Sequence, residues 1–285
     1  MSRFTSSFVK GSTSGGIRLI VLVIILILGL SLSLLESNVQ AAAVEFTDSI
    51  QDQLNKTAAA AGGAQKAKIS KQYNDFSTQY KTVTSWDNKI SSLHYENEAQ
   101  VAAIRKEIKE INSVKIAKLE AQLQQTKSKY QPLFDSYSSL TRQVSTAKKL
   151  KDKTLYKILS AQADVLKTST ALARQDIRNK QDALTTAKKE KTDKARKIRS
   201  VLAEIDPIKN KIKSEKSMLS GQAKLISTEW TNFKSSIKKS DADRTSDTLS
   251  RLLTLGSKAN SLKQSIYNLE LSISGIVKRS KAMLP

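Results

Sequence analysis

One histidine, His94, stands in the stretch SSLHYEN, and the chain has no cysteine. A lone imidazole cannot assemble the usual tetrahedral zinc set, and thiolate ligands and thiol nucleophiles are excluded outright. A general base also needs a nucleophile to activate, and no G-x-S-x-G or comparable motif accompanies His94. Glu107 and Glu110 lie three apart, the spacing of an acid/base pair on one helix face, but they alternate with Lys106 and Lys109. That is the pattern of solvated ion pairs. No glycine-rich phosphate loop is present. Trp86 is an isolated aromatic, and Trp230 falls on an apolar row. Asn55-Lys56-Thr57 is a glycosylation acceptor that matters only in a glycosylating host. The chain therefore reads as non-enzymatic, with no catalytic residue, no metal site, no cofactor and no small-molecule substrate.

Charge is the remaining chemistry. The 285 residues carry 48 basic and 26 acidic side chains, a formal net charge of +22. Residues 42–110 balance, with nine of each sign, whereas residues 142–199 carry 17 basic and 6 acidic residues, net +11. Two clusters stand out there. KKLKDK contains Lys148, Lys149, Lys151 and Lys153, and KKEKTDKARKIR contains Lys188, Lys189, Lys191, Lys194, Arg196, Lys197 and Arg199. Such a concentration attracts polyanions. Lysine outnumbers arginine, which favours diffuse attraction over bidentate recognition. No zinc finger, basic zipper or aromatic RNA-binding motif accompanies it. The expected partners are an anionic cell-wall polymer, an anionic membrane or extracellular DNA, bound without sequence specificity.

The elements that carry these charges read as helices. Residues 64–220 contain no glycine and only two prolines, Pro132 and Pro207. A span so poor in turn residues is mostly long helix. Apolar residues step by three and four: Val101, Ile104, Ile108 and Ile111; Ile116, Leu119 and Leu123; Ile198, Val201, Ile205, Ile208 and Ile212; Leu262, Ile266, Leu269, Ile273 and Ile276. Leu219, Ile226 and Phe233 continue the rows at spacings of seven. One narrow apolar seam per helix is the coiled-coil signature. The fold class is thus all-α, a long antiparallel coiled coil or elongated helical bundle. Its seam is satisfied equally by an intramolecular hairpin, a second copy or a partner coiled coil. Between Ala147 and Leu184 the seam holds Ala, Thr and Ser as often as Leu or Ile, which predicts a loosely buried or partner-dependent region.

Two placements of the turns compete. Turns at Pro132 and Pro207 give near-equal helices over 66–131, 133–206 and 208–281, an up-down-up arrangement, with Asp206-Pro207 as a helix start. The three-four stepping, however, runs through both prolines, as it would in kinked continuous helices. The length match favours turns. Residues 82–97 and 239–247, rich in polar residues, are further candidates for a bend or hairpin. Residues 42–65 read as a short amphipathic helix followed by a glycine-containing linker at 55–65, and residues 66–285 as the long-helix body.

The N-terminus supplies a location. Leu19–Leu35 is a 17-residue apolar run, preceded by Arg3, Lys10 and Arg18 with no acid, and followed by Val39-Gln40-Ala41-Ala42-Ala43. A basic start, an apolar middle and small residues at alternate positions describe a signal peptide over 1–41, cleaved after Ala41 or Ala43. The rival is a retained anchor, since about 20 apolar residues span a bilayer. Either way the body lies outside the cytoplasm, because the basic flank stays inside. The sequence thus points to an exported structural, scaffold or regulatory protein of a bacterial envelope or the extracellular space. A membrane-active, pore-forming-toxin-like bundle and an activator of a peptidoglycan hydrolase are the alternatives. The first lacks an internal apolar hairpin; the second resembles the coiled-coil segments of exported wall hydrolases in architecture, but no hydrolase domain follows.

Overall fold

A computed structural model describes residues 44–285. The expected signal segment and its cleavage positions at Ala41 and Ala43 lie outside them. Among the described residues every regular element is an α-helix: α1 (Asp48–Ala60), α2 (Gly63–Glu110), α3 (Ser113–Lys149), α4 (Lys153–Ala203), α5 (Ile205–Lys238) and α6 (Ala242–Ala282). No described helix is long and apolar enough to cross a membrane. The helices pack as a bundle in two compact units. One takes the described residues up to Asn74 with Leu219–Leu255, and the other takes Asp75–Met218 with Gly256–Pro285.

The first unit is built around aromatic residues. Phe46 packs against Tyr73 and Trp230, with ring centroids 5.6 and 5.3 Å apart, and Trp230 stacks on Phe233 at 4.9 Å. Ile69, Phe233, Leu249 and Leu252 are fully buried around them. Thr47 caps α1, its side chain accepting from the Ile50 N–H, and Gly62 at φ 82° ends the following turn. α1 buries Leu54, Thr57 and Ala58. It also satisfies the end of α5, because Gln53 Nε2 and Thr57 Oγ1 both donate to the Ile237 carbonyl, at 2.9 and 3.0 Å.

In the second unit the chain runs along α2 and α3, reverses, and returns along α4 and the start of α5. Ion pairs Lys115–Glu190 and Glu120–Lys188 and the Tyr130–Asp176 hydrogen bond mark α4 as antiparallel to α3. Lys191 reaches the Lys109 carbonyl and Lys209 pairs with Glu98, so the same sense continues along α2. The C-terminal part of α6 joins this unit. It is parallel to α2, through Trp86–Asn260 and Asp87–Lys263, and antiparallel to α5, through Glu215–Ser265 and Glu204–Arg279. Past the end of α2, which lies beside Lys191, only α3 and α4 remain among the described residues, and they form a two-helix arm.

The expected turns at Pro132 and Pro207 are not where the chain reverses, so helices 66–131, 133–206 and 208–281 are corrected. Pro132 lies inside α3. Pro207 lies in the first turn of α5, where N–H groups lack an intrahelical acceptor in any case. The reversals between long helices are at residues 150–152 and 239–241, and the two share one construction. Lys151 (φ 60°) and Ser240 (φ 54°) adopt the left-handed conformation. In the first, the Lys151 and Asp152 N–H groups donate back to the Lys148 and Ala147 carbonyls; in the second, the Ser240 and Asp241 N–H groups donate to Ile237 and Ser236. This is the Schellman arrangement. The aspartate that follows then caps the next helix: Asp152 accepts from the Thr154 and Leu155 N–H groups, and Asp241 from the Arg244 N–H.

Two consequences are measurable. A proline inside a helix forfeits one hydrogen bond and crowds the preceding turn, so Pro132→Ala should stabilise the chain by about 2 kcal/mol in thermal or denaturant unfolding. Ser240→Gly relieves a left-handed non-glycine residue and should add about 1 kcal/mol.

Candidate polyanion interface

The structure divides the eleven candidate basic residues into two sites. Lys148, Lys149, Lys151 and Lys153 surround the α3–α4 turn, and all are exposed. Lys188, Lys189, Lys191, Lys194, Arg196, Lys197 and Arg199 lie near the other end of α4, roughly 50 Å away along the helix at about 1.5 Å per residue. The fold therefore does not bring the clusters together. They mark the two ends of one arm.

Their electrostatics differ. At the far end several charges already have partners. Lys188 pairs with Glu120 at 2.7 Å, Arg196 with Asp193 at 3.4 Å, and Lys191 Nζ donates to the Lys109 carbonyl at 2.8 Å. At the turn the one neighbouring acid, Asp152, accepts two backbone N–H groups as the cap of α4. Its charge is directed at the helix start, which carries the positive end of the helix dipole. The four lysines at the turn form no ion pair among the described residues. Lys148 and Lys149 occupy the last turn of α3, where positive charge is favourable without a carboxylate.

The arm is thinly buried. In α3 only Leu123 and Ala147 are fully covered, and the α4 interior is Thr170, Ala173, Leu184, Ala187 and Ala195 before Ile198 and Leu202. Small side chains let the two backbones approach, but they remove little apolar surface per turn. Ile104, Ile108, Ile111, Ile198, Ile205, Ile212, Ile266 and Ile273 are buried, whereas Leu119, Val201, Leu262 and Leu269 are half-buried.

Residues 82–97, expected as a bend, are uninterrupted helix within α2. Their polarity has another cause, which the apolar stepping along α6 does not disclose. The deepest row of α6 includes Ala259, Lys263, Ile266, Glu270, Ile273 and Val277. Two of these are charged, and α2 supplies their partners. Lys263 Nζ contacts both Asp87 oxygens at 2.7 Å and donates to the Val83 carbonyl at 2.9 Å. Glu270 is paired at 2.8 Å with His94 Nδ1 and accepts from Asn97 Nδ2 at 2.9 Å. Asn97 also donates to the Glu270 backbone carbonyl. Trp86 Nε1 donates to Asn260 Oδ1 at 2.8 Å.

Burial alone pushes the Glu270 carboxyl up. The hydrogen bonds from His94 and Asn97, with the positive charges of His94 and Lys216, outweigh it and hold the group below the usual carboxylate range. His94 is thereby a partner of a buried carboxylate. The network fixes the register of α2 against α6, because each polar group has a partner at one spacing only. Among the described residues no cluster of acidic and imidazole groups is arranged to hold a metal ion. Comparison with protein-family models, with characterised proteins and with solved structures finds no match to this chain.

Proposed function

We propose that this chain is an exported, non-enzymatic helical protein of a bacterial envelope, a scaffold or regulator that holds anionic polymers through its α3–α4 arm. The observation that carries the proposal is the two-site arrangement of unpartnered and partly partnered cations on a thin arm with little core. The segment keeps a net charge of +11 after its own six acids are counted, and only a few of its cations, Lys188 and Arg196 among them, pair with acids among the described residues. It is a liability to a protein that binds nothing and an asset to one that meets a polyanion. Leu19–Leu35 supplies the route out of the cytoplasm, with removal after Ala41 or Ala43. The half-filled apolar rows of α3 and α4 work as a coiled-coil seam.

Fractionation of the native host tests this reading. The protein should be recovered outside the cytoplasm with an N-terminus at Ala42 or Val44. It should stay with the cell surface at low salt and leave it at about 0.5 M salt, where charge attraction is screened within a few ångströms. Replacing all eleven basic residues by glutamine should shift it to the medium. Recovery of the intact chain in the cytoplasm would contradict the export reading. A cell-bound eleven-substitution variant would contradict the binding reading.

A further inference from the structure

We propose that the α3–α4 turn is a membrane-surface contact, which seats an apolar tip among the headgroups of an anionic lipid bilayer. The inference rests on the reading of this arm as an anion-binding element and commits its turn to one partner. It starts from side chains that a hydrated polymer cannot use. Leu150 in the turn is 71% exposed and Ile158, two turns into α4, is 54% exposed. Leu155 and Tyr156 stand between them, also exposed. Residues 148–158 contain five lysines and one acid. The acid is occupied as the helix cap, and none of the five lysines is ion-paired among the described residues.

Four large apolar side chains thus lie exposed within a collar of free ammonium groups, at the end of a two-helix arm. An apolar tip ringed by lysines matches the interfacial zone of a bilayer. Acyl chains there take up the apolar groups, while long lysine stems reach back to phosphate. Polymers offer the phosphates but not the hydrocarbon. A single partner helix offers one narrow seam, whereas Leu155 and Tyr156 are adjacent on α4 and so lie about 100° apart around it, and Leu150 lies in the turn outside the helix.

Further along α4 a different apolar pair exists: Val165 and Leu172, seven apart and each 69% exposed. That pair would be the seam for a second copy or another helix. It provides the control.

The experiment uses the full chain without residues 1–41, vesicles of phosphatidylcholine alone or mixed equally with phosphatidylglycerol, and soluble polyphosphate as a hydrocarbon-free anion. Three forms are compared: the wild type, a tip variant (Leu150→Ser with Ile158→Ser) and a row variant (Val165→Ser with Leu172→Ser). All substituted residues are exposed, and helix content by circular dichroism verifies folding.

The wild type should co-sediment with the mixed vesicles and not with the neutral ones. The tip variant should lose about 100-fold or more in vesicle affinity, the scale of removing two large apolar groups from contact with hydrocarbon. Its polyphosphate affinity should be unchanged, and the row variant should bind vesicles as the wild type does. Equal vesicle binding by the tip variant and the wild type overturns the inference and leaves the polyanion reading standing. Loss in the row variant, together with a changed sedimentation coefficient of the free protein, overturns it in favour of self-association. Failure of the wild type to bind polyphosphate as well as vesicles overturns both readings.

Discussion

Replacing Glu270 by alanine should destabilise the chain by about 3 kcal/mol, the scale seen when one member of a buried, hydrogen-bonded charge pair is removed. The substitution leaves the His94 imidazole without its carboxylate, leaves the buried Asn97 amide with only the backbone carbonyl of residue 270, and opens a void in the innermost row of α6. Glu270→Gln retains an oxygen for Asn97 but gives up the charge, and it should lose less. Lys263→Met makes the contrast. Its ammonium is buried but its partner Asp87 reaches solvent, so an apolar side chain of similar length leaves little unpaired. That change should move stability by no more than about 1 kcal/mol.

Acid should reproduce the Glu270 effect. The folded carboxyl is held below its ordinary range, so between the unfolded and folded values the unfolded chain binds more protons, and stability rises with pH there. The contribution is complete above about pH 4.3, the ordinary glutamate value, and is lost as pH falls below it toward the folded value. Urea unfolding at successive pH values should show this loss in the wild type and a smaller one in Glu270→Gln.

The second large effect concerns binding. Substituting the eleven basic residues of the arm by glutamine should lower affinity for a long polyanion by about 100-fold or more at low salt, because each cation that meets an anion releases a counterion. The two ends should contribute unequally. Lys148, Lys149, Lys151 and Lys153 at the turn form no ion pair among the described residues. Lys188 and Arg196 at the far end must first leave Glu120 and Asp193. Per charge removed, substitution at the turn should therefore cost more. The rival expectation, that the arm is only a solvated face, predicts little change from either set.

Helical content was legible because the signal is redundant: absence of glycine, scarcity of proline and repeated three-four steps all agree. The positions of the turns were not, for a specific reason. The left-handed residue that ends a helix is usually glycine, yet here Lys151 and Ser240 take that conformation and the decisive signal is the aspartate that follows. Asp152 and Asp241 are ordinary residues in a polar stretch until their capping role is seen. The segment 239–247 did stand out by polarity, whereas 150–152 lay hidden among lysines.

The polar stretch around His94 was misread in the opposite direction. Its Trp, Asp, His and Asn side chains mark a face that meets the buried Lys263 and Glu270, and a single sequence cannot reveal that two distant charged residues share an interior row. Proline misled as well. Pro132 is tolerated inside α3, and Pro207 falls in a first turn where proline costs little. The basic clusters were visible from composition. That they sit at opposite ends of one arm could be known only once the reversal at Lys151 was placed.

The measurement that bears most directly on this account is the salt dependence of polyanion binding by the wild type and the eleven-substitution variant. Association with polyphosphate or duplex DNA would be followed by fluorescence anisotropy across a salt series. The account predicts a steep linear fall of log affinity with log salt for the wild type and a shallow one for the variant. Salt-independent binding, or equal slopes in the two proteins, would contradict it.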